Sequence, residues 1–173
     1  VMVAFGHLDS EYESPLMQPD ALFLQDEEGH FEDVASLWGL DDRTVGRGFV
    51  LRDFNDDGWT DLFVPVVLSP NRLFINEAGR FRDATTGEIG ISAENFGGTA
   101  GDIDNDGDLD LYAASPAAIS ADESSGPQRS TLLLNLGEGV FLDVTEGVGL
   151  QALVFTDNFF GRFFDFDNDG DLD

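Results

Sequence analysis

One nine-residue pattern, D-x-[DN]-x-D-G-x-x-D, occurs three times in this chain. It reads DFNDDGWTD at 53–61, DIDNDGDLD at 102–110 and DFDNDGDLD at 165–173. Carboxylates at such density are costly to fold unless something offsets their charge. Side-chain oxygens at positions 1, 3, 5 and 9, with a backbone carbonyl at position 7, suit a hard cation such as Ca²⁺, and glycine at position 6 permits the sharp turn that aims them inward. The expected ligands are Asp53, Asn55, Asp57, the Trp59 carbonyl and Asp61 in the first loop. In the second they are Asp102, Asp104, Asp106, the Asp108 carbonyl and Asp110, and in the third Asp165, Asp167, Asp169, the Asp171 carbonyl and Asp173. The neutral Asn55 makes the first loop less charged, so it is expected to bind more weakly. A nearly all-protein oxygen cage suits Ca²⁺ better than Mg²⁺, and Mn²⁺ is compatible with the same donors.

An EF-hand begins similarly, but its position 12 is Glu. Here that position is Val64 and Ala113, and the flanks read as strands rather than helices. A dockerin-type loop fails on the same missing helix.

A longer block recurs between the loops. DALFLQDEEGHFEDVASLWGL (20–40) matches STLLLNLGEGVFLDVTEGVGL (130–150), and NRLFINEAGRFRDATTGEIGI (71–91) matches both with shifted spacing. Phe31, Phe81 and Phe141 stand 50 and 60 residues apart, while the loops start 49 and 63 apart at Asp53, Asp102 and Asp165. Repeats of this period indicate propellers, solenoids or arrays. Within a repeat, GFVLRDF (48–54) enters an acidic loop and DLFVPVV (61–67) leaves it. RLFIN (72–76) and RFRDAT (80–85) then form a hairpin about EAG. Four short strands make a propeller blade. The fold class expected is all-β, with blades of four antiparallel strands, about three repeats, and no sustained helix. The Pro/Gly-bearing stretch 115–130 reads as a long exposed loop within one blade.

The repeat also reads across the ends of the sequence. Val1-Met2-Val3-Ala4 stands where a strand is expected to follow Asp173, and the loop spacing around that join is 61 residues. The single repeat region 1–173 then divides into 159–173 plus 1–44, 45–94 and 95–158, with one blade split between the termini. The chain is expected to be a unit of a tandem polymer, a fragment of a larger propeller, or a module whose split blade is completed by another copy.

Charge narrows the partners. The chain carries 35 acidic and 8 basic residues for a net −27. That self-repulsion destabilises a compact state and opposes nucleic acid and anionic membrane surfaces, both of which require positive charge. Bound cations are the simplest offset. Hydrophobic residues at 42%, including 16 Phe, set the chain apart from a disordered acidic tail. There is no cysteine, hence no disulfide or thiolate site. No apolar run approaches membrane-spanning length. His7 and His30 are the only histidines. His30 falls in a hairpin turn and His7 after a strand, and no nucleophile elbow, zinc motif or phosphate loop is present, so catalysis is not expected. Arginine pairs well with carboxylates, and charge compensation is the expected task of Arg47, Arg52 and Arg162.

The loops, with Phe96-Gly97 and Phe160-Gly161 ahead of them, resemble FG-GAP/VCBS repeats. The stretch FFDFDNDGDLD (163–173), VMVAFGH (1–7), QPDALF (18–23), FEDVASLWGL (31–40) and VGRGFVLRDFNDDGWTDLFV (45–64) resembles the ASPIC/UnbV-associated subset. The resemblance implies β-propeller blades binding Ca²⁺ in up to three loops, in an extracellular or periplasmic protein with an adhesive, binding or scaffolding role. Partners implied with the split blade are further copies of the chain. A ligand- or glycan-binding module of a larger secreted enzyme is the alternative.

Overall fold

The computed structural model describes residues 2–4, 19–41, 44, 46–66, 69–90, 95–115, 130–150 and 159–173. Its regular secondary structure is almost entirely short antiparallel strands. β1 (Met2–Ala4), β2 (Ala21–Gln25) and β3 (Phe31–Asp33) form one sheet. β4 (Val50–Arg52), β5 (Asp61–Val64), β6 (Arg72–Asn76) and β7 (Phe81–Asp83) form a second, in that order. β8 (Gly97–Gly101), β9 (Asp110–Ala114), β10 (Thr131–Asn135) and β11 (Phe141–Asp143) form a third, again meandering in sequence order. The expected blade-type, all-β architecture is therefore present.

The second sheet shows why its strands lack a polar face. All four residues of β5 are buried. Leu62 and Val64 pack with Val66 and Phe74 against Leu22, Val34, Ala35 and Leu40 of the first repeat. Phe63, between them in sequence, points the other way into a cluster with Val50, Leu73, Ile75, Leu111 and Leu133. Successive side chains of a strand alternate between faces, so a sheet covered on both sides reads as a continuous apolar run. β9 repeats the arrangement. Its Leu111 and Ala113 join the cluster shared with the second sheet, and Tyr112 and Ala114 join Leu132, with Phe163 packed beside them.

The hairpin expected at 72–85 has its first strand at Arg72–Asn76 and its second at Phe81–Asp83, with Asn76 opposite Phe81. The recurring Asp after each outer strand has a structural task. The Oδ1 atoms of Asp33, Asp83 and Asp143 accept the N–H of Ala35, Thr85 and Thr145 at 3.0, 2.9 and 3.0 Å. Two of the turns so started wind into single-turn helices, α1 (Ala35–Trp38) and α2 (Gly87–Gly90).

Val1–Ala4 was expected to continue the repeat, and β1 does pair with β2, Met2 facing Phe23. The two parts of the split blade do not share a sheet among the described residues. The first sheet packs on the second, whereas Phe163 packs edge-on to Tyr112 at 6.4 Å, beside the third. The parts flank opposite sides of the two four-stranded sheets. The loop expected at 115–130 lies largely outside the described residues, as does His7. Not every phenylalanine is core: Phe31, Phe160, Phe164 and Phe166 are more than half exposed.

Candidate metal centre

The three acidic loops share one hydrogen-bond register. The position-1 carboxylates of Asp53, Asp102 and Asp165 accept two N–H groups each. Their Oδ1 atoms take those of Asp57, Asp106 and Asp169 at 3.2, 3.1 and 3.1 Å, and their Oδ2 atoms those of Gly58, Gly107 and Gly170 at 2.8, 3.1 and 3.0 Å. Asn55, Asp104 and Asp167 accept the same position-5 N–H at 3.4, 3.3 and 3.3 Å. Asp57, Asp106 and Asp169 in turn accept the N–H of Trp59, Asp108 and Asp171 at 2.8, 2.9 and 3.0 Å.

Two residues per loop make this winding possible. Position 6 is glycine at φ 86, 101 and 101°, and position 4 (Asp56, Asn105, Asn168) is also left-handed, at φ 55, 61 and 62°. Asn and Asp are among the few residues that enter this region readily. The sequence reading used the glycine and passed over position 4.

The position-9 aspartates close the loops, and two of them tie a loop to a sheet. Asp61 Oδ2 accepts the Phe54 N–H at 2.8 Å and its Oδ1 the Asn76 N–H at 2.8 Å. Asp110 does the same for Ile103 and Asn135, both at 2.8 Å. Asp173 Oδ2 accepts the Phe166 N–H at 2.8 Å. Asp61 and Asp110 are fully buried. Burial is the main influence that pushes both carboxyls above their ordinary value. Nearby loop carboxylates add to it, and the accepted N–H groups work against it.

In the second loop Asp102, Asp104 and Asp110 each place a carboxylate oxygen within 4.8 Å of the others, and in the third Asp165, Asp167 and Asp173 do so. Asp106 and Asp169 stand outside these groups, their Oδ1 atoms held by the following turn. In the first loop Asn55 replaces the middle carboxylate, and its Nδ2 donates to Asp57 Oδ2 at 2.9 Å. The donors are all oxygen, mostly charged and convergent, and this is the chemistry a hard cation requires. The loops also touch. Asn105 Nδ2 of the second donates to Asp171 Oδ1 of the third at 2.9 Å.

One further group went unread in the sequence. Asp26, Glu28 and His30 converge at the β2–β3 turn, all exposed. Asp26 Oδ1 accepts the N–H of Glu28 and His30 at 2.9 and 2.8 Å, and its Oδ2 lies 3.3 Å from His30 Nδ1. Those bonds cap the hairpin turn.

Four-stranded blades with an oxygen-donor loop between the first two strands define a class: a repeat-built β protein whose turns carry acidic loops. Residues 53–113, two loops and the sheet between them, match the FG-GAP-like repeat family, so the chain carries the repeat that its loops resemble. It is also similar to Cartilage acidic protein 1. Identity is 37% over 99 residues with the Xenopus tropicalis protein, covering 54% of this chain and 15% of the relative. It is 30% over 166 residues with those of Mus musculus and Homo sapiens, covering 90% of this chain and 24% of each relative. The chain thus spans at most about a quarter of these relatives. Among the described residues no helix is long and apolar enough to cross a membrane.

Proposed function

We propose that this chain is a Ca²⁺-binding, non-catalytic set of propeller-type repeats that serves a structural or adhesive role outside the cytoplasm as part of a larger assembly. The observation that carries this reading is the hydrogen-bond register repeated in all three loops. It fixes the backbone with some carboxylate lone pairs and leaves others converging. Asp102, Asp104 and Asp110 hold one ion, Asp165, Asp167 and Asp173 another, with the carbonyls of Asp108 and Asp171 as further donors. Asp53, Asn55, Asp57, Asp61 and the Trp59 carbonyl hold a third, more weakly. The ions supply positive charge where a −27 chain concentrates its carboxylates. Neither the repeat's description nor the relatives' name denotes an enzyme, and the relatives' name ties them to cartilage and to acidity, which supports an extracellular setting.

The split blade supplies the partner. β1 is an edge strand whose side away from β2 pairs with no described strand, and such an edge is a template for β-augmentation. Further repeats of the same kind, from a longer chain or another copy, pair with it.

Thermal unfolding with and without chelator tests the metal reading. Excess EDTA is expected to lower the Tm strongly and added Ca²⁺ to restore it, since a ligand bound only to the native state stabilises it by mass action. An unchanged melt in EDTA refutes it. Light scattering of the chain in Ca²⁺ tests association, and a stable monomer counts against pairing between copies.

A further inference from the structure

A cavity of about 590 Å³ opens where the innermost strands meet. It is lined by β4, by β8 and by residues 160–163, and Arg52, Thr99 and Arg162 contribute its polar side chains. Its size falls within the range of small-molecule sites. β4 and β8 are both edge strands, whose inner edges pair with no described strand, so the backbone also presents polar groups towards this space.

What sets Arg52 and Arg162 apart from the other described arginines is the cavity they share, since Arg47 and Arg80 also pair with no described carboxylate. The chain has 35 acidic residues and only 8 basic ones, so a carboxylate partner is easy to find. Arg72 and Arg82 have one, at 2.6 Å from Asp83 and 2.6 Å from Glu77. Arg52 and Arg162 pair with no carboxylate among the described residues. Arg52 instead donates to the Leu51 carbonyl at 2.8 Å. Among the described residues, neither of the two compensates a carboxylate of the chain. Two guanidiniums left to one cavity, in a chain whose overall field repels anions, mark a local reversal of charge.

We infer that this cavity is an anion site that takes a small carboxylate-bearing molecule, held by the guanidiniums of Arg52 and Arg162. Guanidinium and carboxylate match in a planar, two-pronged hydrogen-bond geometry. Thr99 adds a hydroxyl that donates or accepts. The site adjoins the acidic loops but is opposite in sign of charge and uses none of their ligand residues, so it does not depend on whether those loops bind cations.

Succinate is the probe, titrated into the full chain in excess CaCl₂, with NaCl of matched ionic strength as the reference. The side-chain Nε–H resonances of Arg52 and Arg162 are expected to shift with succinate and not with NaCl. Those of Arg72 and Arg82, held by Asp83 and Glu77, stay in place. R52Q and R162Q each weaken succinate binding by about tenfold, the loss of a charge-assisted hydrogen bond, while R82Q binds as the parent does. Both substituted side chains are exposed, so the variants keep the parent melting temperature, which is checked alongside. The inference is overturned if succinate shifts the arginine resonances no more than NaCl does, or if R52Q and R162Q bind succinate like the parent.

Discussion

The side-chain amide of Asn135 donates to the carbonyl of Phe54 at 2.8 Å, across 81 residues of chain. Phe54 is the second residue of the first acidic loop, and Asn135 ends β10 in the neighbouring sheet. The same Asn135 accepts the Gly137 N–H at 3.1 Å and gives its own N–H to Asp110. One buried side chain thereby joins two loops and two sheets. N135A leaves buried polar groups unpaired, at a cost of about 1–3 kcal/mol. A Tm lowered by about 3–10 °C, with the fold retained by circular dichroism, is the expected outcome in a thermal melt.

Trp59 stands at position 7 of the first loop and is 49% exposed. Terbium substituted for calcium should be sensitised by this indole in the first loop. W59F is expected to remove most of the sensitised emission while leaving the total number of ions bound, measured by calorimetry, unchanged. N55D adds the missing carboxylate and is expected to tighten the first loop by about tenfold or less, whereas D104N weakens the second.

Acidity should act on the metal-free and metal-loaded protein in opposite directions. The raised carboxyls of Asp61 and Asp110 are protonated below the ordinary value of 3.8 in both folded and unfolded chains. As pH rises through their raised values, the folded state must ionise them in a buried place, and stability is lost. In EDTA the melting temperature is therefore expected to rise as pH falls from neutral into the acid range. Asp83 runs the other way. Burial alone raises its carboxyl, but hydrogen bonds from Thr85 and the charge of Arg72 outweigh that and hold it below 3.8. Its contribution is present above 3.8 and disappears as pH falls through its lowered value, below the range in which Asp61 and Asp110 act. The stabilisation from Ca²⁺ shrinks over the same descent, because protons compete for the ligands. Scanning calorimetry from about pH 7 to 4 checks both trends, and an EDTA melt that only falls with acidification refutes the first.

Glycine on β8 is required by space rather than by backbone twist. A Cβ on Gly98 would lie 2.9 Å from the Tyr112 carbonyl oxygen and 3.3 Å from Val50 Cγ2. G98A is expected to cost about 1–3 kcal/mol by overpacking, seen as a shifted urea midpoint. At Gly107 a Cβ meets nothing within 4 Å, but φ is +101°. G107A therefore strains the second loop alone and is expected to weaken ion binding there more than it changes the global melt.

The loops were legible in the sequence because oxygen donors at alternate positions leave a mark that few other structures produce. β6 was legible for a similar reason, its apolar run being bounded by Asn71 and the Glu77–Gly79 turn. The asparagines were harder. Asn76 and Asn135 close matching strands of two repeats, which was visible in the text, but their partners are set by folding across 15 and 81 residues. The exposure of Phe31 and Phe164 was not legible, because an apolar residue in a repeat does not show whether another part of the fold covers it. That Arg52 and Arg162 pair with no described carboxylate was unreadable, since 35 carboxylates make pairing the natural expectation.

The bonds that shape each acidic loop run between atoms of the chain itself, from Asp53 to Gly58 and at the matching pairs in the other two loops. If the loops bind calcium as proposed, an arriving ion would find the turn already held and would have little chain to order. Entry would then be limited mainly by loss of the ion's own water, and the rate of departure would follow from that entry rate and the affinity.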